Sequence, residues 1–308
     1  MKLNQLRDVL AVAERGSLRA AARDLGLAQP ALTRSITLLE RELGVTLFER
    51  QARGMRLTTM GEHFVRRASA VRSELRHARE ELEQLRGDTH GSISVCLSSV
   101  PHIALLPYAM GPFRARYPHV HMDVTEGVFP MVERALRDGT VDLYAGPLRG
   151  SPDVEDLVVE KLFDNTRVIL GRKDHPLAKA RSLGDLTGAA WVTTSITRKA
   201  DDELAPLFSQ QGLPAPRIVM QVHSALSSIV AVAYSDLLTM LPVQWTEFPV
   251  TRDVLQRIAL TETLPAPPIC IVRRASLPLT PAADYFCDML RRAAAHLQPA
   301  GLKRSKKR

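Results

Sequence analysis

The sequence predicts an all-α module at the amino terminus, one long helix after it, and an α/β domain in the remainder. Three observations support this fold class. Apolar residues recur at helical spacing between residues 3 and 43 and again between residues 64 and 85. No proline or glycine interrupts the chain between Gly61 and Gly87. Beyond residue 91, strand-like and helix-like segments alternate, and a length of 308 residues fits about two domains.

The formal net charge of +8 is unevenly distributed along the chain. Residues 1–86 carry +5, residues 87–302 carry −2, and residues 303–308 carry +5. Basic segments favour a polyanionic partner. The slightly acidic middle, however, disfavours a protein that coats nucleic acid along its whole length.

Membrane and secreted classes of protein are not expected. The opening MKLNQLRDVL lacks the apolar core of a signal peptide. The most apolar stretch, 226–242, is interrupted by serines and an aspartate and is too short to span a bilayer. The three cysteines, Cys96, Cys270 and Cys287, are far apart in sequence, which favours buried thiols in a reducing cytoplasm over a disulfide framework.

The first 43 residues predict three short helices with a glycine turn. Residues 3–14 form the first helix, Ser17 caps the second, and the third begins near Gln29 with Pro30 in its first turn. The third helix has an apolar side and a polar outer face, which consists of Gln29, Thr33, Arg34, Thr37 and Arg41. This pattern is typical of a helix-turn-helix whose last helix enters the major groove of DNA. A three-helix bundle with a solvated face remains the alternative.

The segment LFERQARGMRLTT, residues 47–59, predicts a β-hairpin that turns at Gly54. Arg50, Arg53 and Arg56 lie near its tip. Such a wing would place arginine beside the recognition helix, where it can contact phosphates or the minor groove. A solvated hairpin with scattered basic residues is the alternative interpretation.

A T-x-x-E capping box at Thr59 and Glu62 predicts the start of the long helix. Its apolar positions alternate at spacings of four and three, which is a heptad seam over three heptads. This seam predicts a helix-pairing dimer that fixes the distance between two DNA-binding units. Packing on the same chain is the alternative. The seam consists of Phe64, Ala68, Val71, Leu75, Ala78, Leu82 and Leu85.

Residues 91–300 predict a β-α-β-α-β order and hence a parallel sheet with helices on its faces. Ligands of such sheets bind at the carboxyl ends of strands, near helix amino termini. Hydroxyl groups and turns follow several predicted strands, although any of them could be an ordinary helix cap. The candidate ligand-binding junctions are residues 98–101, 127–130, 193–197 and 223–224.

The amino-terminal motif resembles that of the LysR-type transcriptional regulators, over some sixty positions. The matching residues are Leu6, Val9, Val12, Gly16, Ser17, Ala21, Ala22, Leu25, Gln29 to Arg34, Ile36, Leu39, Glu40, Leu43, Gly44, Leu47, Phe48, Arg50, and Arg53 to Gly61 with Leu57 and Thr58. One position departs from the pattern. Ala28 stands where the family often has a Ser or Thr cap on the recognition helix, which removes a side-chain cap.

The resemblance implies a winged helix-turn-helix at 1–58, a linker and dimerisation helix at 59–87, and a two-lobed effector domain at 91–300 that is similar to periplasmic binding proteins. Lobe I would comprise about 91–161 and 267–300, and lobe II about 162–266, with effectors bound between them. The effector contacts that the resemblance favours at the strand-end junctions are Ser98, Ser99, Phe129, Thr194, Ser195 and His223. Residues 301–308 form a basic tail that would add nonspecific attraction to DNA.

The implied partners are double-stranded promoter DNA with a dyad-symmetric site, a small effector, and further copies of the chain in a dimer that assembles to a tetramer. Gln29, Pro30, Thr33 and Arg34 would contact DNA in the major groove and Arg53 would do so on the wing. The segments SDLL and LPLTPAA resemble a subgroup that regulates the degradation of aromatic acids and sulfonates. An anionic aromatic effector is therefore expected, in a cytoplasmic, nucleoid-associated protein.

Enzymatic and metal-binding roles find no support in the sequence. GxSxG, Walker A, GxGxxG and HExxH motifs are absent. His119 and His121 share one side of a predicted strand but lack the third ligand of a metal site. We therefore expect no cofactor and no metal. Two alternatives remain: a solute-binding protein with an added oligomerisation helix, and an enzyme with a DNA-binding domain.

Overall fold

A computed structural model describes residues 1–51, 54–150, 156–194, 203–276 and 278–297. The amino-terminal domain contains α1 (Leu3–Arg15), α2 (Leu18–Asp24) and α3 (Gln29–Leu43). Ser17 caps α2 by accepting a hydrogen bond from the Ala20 amide at 3.4 Å. Ala28 precedes α3 without a side-chain cap. One apolar core joins the three helices, since Val9, Ala21, Leu32, Ile36 and Leu39 are all buried in it.

The predicted wing is an antiparallel hairpin of β1 (Phe48–Gln51) and β2 (Gly54–Leu57). Glu40 of α3 fixes the start of β1, because its carboxylate accepts hydrogen bonds from the Leu47 and Phe48 amides at 2.7 and 3.2 Å. The Met55 amide donates to the Gly16 carbonyl at 2.8 Å. Gly54 has a φ of +136°, and a Cβ there would lie 2.4 Å from that same carbonyl. Only glycine therefore lets the wing dock so closely.

The long helix α4 runs from Thr59 to Leu85. Its 27 residues make a rod of roughly 40 Å at 1.5 Å a residue. The capping residue is Thr58 rather than the predicted Thr59: Thr58 has extended backbone angles, and its Oγ1 accepts from the Gly61 amide at 2.9 Å.

The carboxyl-terminal domain is built on a continuous nine-stranded sheet. Its main path runs β4-β3-β5-β11-β6-β9-β7-β8, and β10 pairs with β6. The strands are β3 (His90–Leu97), β4 (His119–Glu126), β5 (Leu143–Pro147), β6 (Leu157–Arg172), β7 (Ala190–Thr194), β8 (Arg217–Val222), β9 (Leu237–Pro242), β10 (Leu255–Ile258) and β11 (Leu264–Arg274).

The sheet is mixed, which corrects the prediction of a parallel one. Strands β3, β4 and β5 are parallel, as are β7, β8 and β9. The long strands β6 and β11 run antiparallel to each other and to their other neighbours, and each crosses from one half of the sheet to the other. They divide the domain into lobe I, which holds β3–β5, and lobe II, which holds β7–β10.

Helices cover both faces of each lobe. Lobe I carries α5 (Leu106–Arg116) and α9 (Pro281–Leu297) on one face and α6 (Phe129–Arg137) on the other. Lobe II carries α7 (Ala205–Ser209) and α8 (Ala225–Ala233) on opposite faces. The predicted helix after β3 begins as a π-helical turn at Pro101–Leu105 before α5, which contains Pro112.

The three cysteines are free and buried. Burial raises the pKa of each thiol, for Cys287 to about 12. The thiols therefore stay protonated at neutral pH and act as small apolar groups. In the part of the chain that the structure describes, no helix is both long and apolar enough to cross a membrane. Within the same residues, no cluster of three or more acidic, histidine or cysteine side chains could hold a metal ion.

Candidate DNA-binding and effector-binding surfaces

One face of α3 is buried and the opposite face is open to solvent. Leu32, Ile36 and Leu39 pack into the core. The outer residues border a shallow concavity of about 460 Å³, lined by Gln29, Pro30, Thr33, Arg34, Thr37, Leu38 and Arg41. Thr33 Oγ1 donates to the Gln29 carbonyl at 3.0 Å, which orders the first turn. The structure thus brings the four predicted helix contacts onto one exposed surface. Arg53, the predicted wing contact, lies outside the described residues.

The heptad seam of α4 divides into two parts. Phe64 and Ala68 pack on the same chain, against Leu6 and Leu10 of α1, and Ala68 is only 2% exposed. These two residues therefore anchor α4 to the amino-terminal domain. The remaining seam residues, Val71, Leu75, Ala78, Leu82 and Leu85, are exposed.

The opposite, polar face of α4 is the buried one. Ser73, Glu80 and Gln84 are each less than 10% exposed. The side-chain Nε2 of Gln84 donates to the His90 backbone carbonyl at 3.1 Å. Its Oε1 accepts from the Ala282 backbone amide at 3.0 Å. This side chain therefore joins α4 to the start of β3 and to the amino terminus of α9.

Two further contacts fasten α4 to lobe I. His77 Nε2 lies 2.8 Å from Asp142 Oδ1, and Asp142 Oδ2 accepts from the Ser94 amide at 2.7 Å. Glu74 forms a salt bridge with Arg274 of β11. The His77 and Asp142 side chains are 14% and 4% exposed, so this contact is shielded from solvent. The linker helix and lobe I thus form a single packed unit.

Ser98 and Ser99 directly follow β3, at the edge of lobe I that faces lobe II. The region between these facing edges of the two lobes is called the cleft. Ser98 is buried, and its Oγ has no hydrogen-bond partner among the described residues. Phe129 is buried too, but its ring packs 6.0 Å from the ring of Tyr144 in the core of lobe I. This packing position within lobe I counts against a direct effector contact by the Phe129 ring.

The lobe II side carries Thr194 at the end of β7 and His223 between β8 and α8. Thr194 is half-buried and His223 is exposed. Ser195 lies outside the described residues. Ile103, in the turn after Ser99, packs against the lobe II core beside Val243. The strand-end loops of the two lobes therefore meet.

Sequence reasoning missed two polar groups at this meeting point. Gln244 Nε2 donates to Asn165 Oδ1 at 3.1 Å, while the Gln244 Oε1 is buried without a partner among the described residues. Glu203 forms salt bridges with both Arg149 and Arg167, and its Oε2 lies 2.7 Å from Arg167 Nη2. No motif signals these groups, because the partners are 36 to 79 residues apart in sequence.

Comparison with known proteins settles the family. A model described as "LysR substrate binding domain" matches residues 86–295. A second, described as "Bacterial regulatory helix-turn-helix protein, lysR family", matches residues 3–62. The chain belongs to the LysR family. It is a DNA-binding transcriptional regulator with a substrate-binding domain, and LysR regulators are not enzymes.

Curated relatives include the HTH-type transcriptional regulator GalR of Pseudomonas putida, 29% identical over 93% of this chain and 72% of GalR. The SDS degradation transcriptional activation protein of a Pseudomonas species is 28% identical over 97% of this chain and 98% of that protein. Among solved structures, full-length CbnR in complex with its target DNA has the same fold, with a TM-score of 0.70 and 23% sequence identity. The superposition covers 95% of this chain and 100% of CbnR. A full-length OxyR variant of Pseudomonas aeruginosa superposes with a TM-score of 0.69 at 24% sequence identity. That superposition covers 94% of this chain and 95% of the OxyR chain.

The contact between α4 and lobe I yields a test. Gln84→Ala removes the side-chain acceptor of the buried Ala282 amide and the donor to the His90 carbonyl, so we expect the free energy of unfolding to fall by about 1–3 kcal/mol. Urea denaturation measures that loss, and hydrogen exchange should show faster exchange at the Ala282 amide. Arg79→Ala, at a fully exposed position of the same helix, serves as the control and should change neither readout. An unchanged exchange rate at Ala282 in Gln84→Ala would contradict the assignment.

Proposed function

We propose that α3 reads the operator in the major groove, with Gln29, Pro30, Thr33 and Arg34 at the base edges and backbone and Arg53 on the wing. The observation that carries this proposal is the single polar, concave face of α3 opposite a fully apolar one. Arginine can bind guanine bidentately, and a helix amino terminus suits phosphate. The same proposal divides the chain into a DNA-binding domain at 1–58, a linker helix at 59–87, an effector domain at 91–300 and a basic tail at 301–308. It also places the protein at the nucleoid in the cytoplasm.

The exposed part of the seam supports a dimer through α4. Val71, Leu75, Leu82 and Leu85 are large apolar residues, each more than 40% exposed. They recur at heptad spacing on a helix whose other face is already occupied. Burying them against the same residues of a second copy gives a two-fold interface. Two α3 helices held in this way would bind the two halves of a dyad-symmetric site.

A second apolar stripe supports assembly of dimers into a tetramer through the effector domains. Leu226, Val230 and Tyr234 follow one another at four-residue spacing along α8 and its end, and all three are exposed. They lie beside β8, one edge of the sheet, on which Val219 and Met220 are exposed as well. An apolar surface of this kind is typical of a protein interface.

The effector we propose is a small aromatic carboxylate or sulfonate, bound between the lobes by Ser98, Ser99, Thr194, Ser195 and His223. The buried Ser98 Oγ and Gln244 Oε1 lack partners among the described residues, and such groups call for a ligand or water. The resemblance of SDLL and LPLTPAA to the aromatic-acid subgroup adds support. A relative is named for SDS degradation, which supports the anionic part of this proposal.

Arg34→Ala tests DNA recognition. Loss of one bidentate base contact should weaken specific operator binding by about 1–3 kcal/mol at fixed salt and affect nonspecific binding less. Gel-shift or fluorescence-anisotropy titrations with operator and scrambled DNA measure both. Arg252→Ala, an exposed arginine of lobe II, is the matched control and should bind like the wild type. Equal operator affinity of Arg34→Ala and wild type would refute the assignment.

Leu82→Lys tests the dimer seam. It places a charge within the proposed apolar interface, where desolvation is unfavourable. The dimer should therefore dissociate at a protein concentration roughly tenfold or more above that at which the wild type dissociates. Sedimentation velocity over a concentration series measures this, and circular dichroism checks that the monomer stays folded. Arg79→Ala again provides the control on the same helix. A Leu82→Lys protein that stays dimeric at nanomolar concentration would rule out this seam.

A thermal-shift panel of aromatic carboxylates and sulfonates tests the effector class, because a ligand that binds the folded state raises the unfolding midpoint. Ser98→Ala should abolish the shift without lowering the midpoint of the free protein, since its Oγ makes no hydrogen bond among the described residues. Ser92→Ala, at the other end of β3, loses bonds to Arg76 and Glu80. It should lower the free midpoint and keep the shift. No shift across the panel would contradict the aromatic-anion proposal.

A further inference from the structure

The Glu203 bridge, formed by Arg149, Arg167 and Glu203, has the geometry of a carboxylate-binding site. One carboxylate oxygen of Glu203 pairs with Arg149 and the other with Arg167. Guanidinium groups that meet both oxygens of a carboxylate are the usual means by which proteins bind organic acids. In this chain the bound carboxylate is a side chain of the protein itself.

The bridge lies where the two lobes face each other. Arg149 follows β5 by two residues, and β5 runs parallel to β3, which ends just before Ser98. Arg167 of β6 is paired with Pro242, the last residue of β9, and β9 runs parallel to β7, which ends at Thr194. The two arginines therefore come from the carboxyl edges of the two half-sheets, the same edges that supply the effector contacts.

Among the described residues, the bridge contains more positive than negative side chains. Two guanidinium groups share one carboxylate, and no other acidic side chain among the described residues pairs with either arginine. The Arg167 side chain is only 14% exposed, whereas Glu203 is 41% exposed. A partly buried cation is strongly stabilised by an anion, and the more exposed Glu203 can leave at less cost than Arg167.

We infer that Glu203 is an internal substitute for the effector, and that the anionic group of the effector replaces it on Arg149 and Arg167. This inference rests on the proposed effector site and adds to it the two cations that hold the anion. Glu203 competes with the effector for the same two guanidinium groups. This competition raises the effector concentration that is needed to occupy the site. Release of Glu203 detaches the start of α7 from the two arginines and breaks this link between the lobes.

Glu203→Gln tests the competition, because it removes the competing charge and nearly preserves the side-chain shape. The full-length variant should bind sodium benzoate, sodium benzenesulfonate or sodium sulfate at least tenfold more tightly than wild type, as measured by calorimetry at constant ionic strength. Neutral benzamide should gain nothing. Arg167→Ala, introduced into wild type or into Glu203→Gln, should lose anion binding. Glu247→Gln, an exposed acid of the same lobe, is the matched control and should bind like the wild type.

The outcomes separate this inference from the aromatic-effector proposal. If Glu203→Gln binds sulfate tightly through Arg167 but no aromatic anion, the Glu203 bridge is an anion site and the aromatic class is wrong. If wild type binds benzoate and Glu203→Gln binds it equally well or more weakly, the inference fails and the effector proposal stands. Anion binding that persists in Arg167→Ala also overturns the inference.

Discussion

The arrangement of the whole chain depends on how α4 divides its surface between two environments. From Val71 onward its polar face is buried on lobe I and its apolar face is left exposed, the reverse of an ordinary surface helix. This arrangement is stable because the principal buried polar groups have partners, among them Gln84 on the His90 carbonyl and the Ala282 amide. Directional bonds of this kind fix the rotation of the helix about its axis more strictly than apolar contact would. The rotation in turn determines that the apolar seam points away from the chain.

The amino-terminal half could be predicted from the sequence because its determinants are local. The apolar spacing, Ser17 as a cap and Gly54 at the turn each act within a few residues, and the structure has the predicted helices and hairpin in place. The shift of the cap of α4 from Thr59 to Thr58 is the kind of small error expected where two threonines are adjacent. The heptad pattern marked an apolar seam along α4, yet it could not distinguish Phe64 and Ala68, which α1 covers, from the exposed residues beyond them.

The effector domain was less predictable because its decisive contacts are long-range. The β-α-β order suggested parallel strands, but β6 and β11 pair antiparallel across about a hundred residues of chain. Strands β9 and β10 were not predicted. Their segments, SDLLTMLP and LQRI, are short, and both strands form by pairing with β6, which is distant in sequence. The rule that ligands bind at strand ends did lead to Ser98 and Thr194. Arg149, Arg167 and Glu203 carry no motif, and only the fold brings them together.

These contacts also limit how an effector can act on DNA binding. Lobe I cannot move freely relative to α4, because Gln84, the His77–Asp142 pair and the Glu74–Arg274 salt bridge join them. Lobe II is connected to lobe I through β6, β11 and contacts across the cleft, among them the Arg149–Glu203 salt bridge, whose side chains are 57% and 41% exposed. An effector changes an equilibrium only when it binds the two states with different affinity, and a ligand in the cleft distinguishes states that differ in the position of lobe II. The signal would therefore pass from lobe II to whatever lobe II contacts in the assembled protein. In a tetramer joined through α8, that contact is another subunit, so the response to effector would be a property of the assembly and would be lost in an isolated subunit.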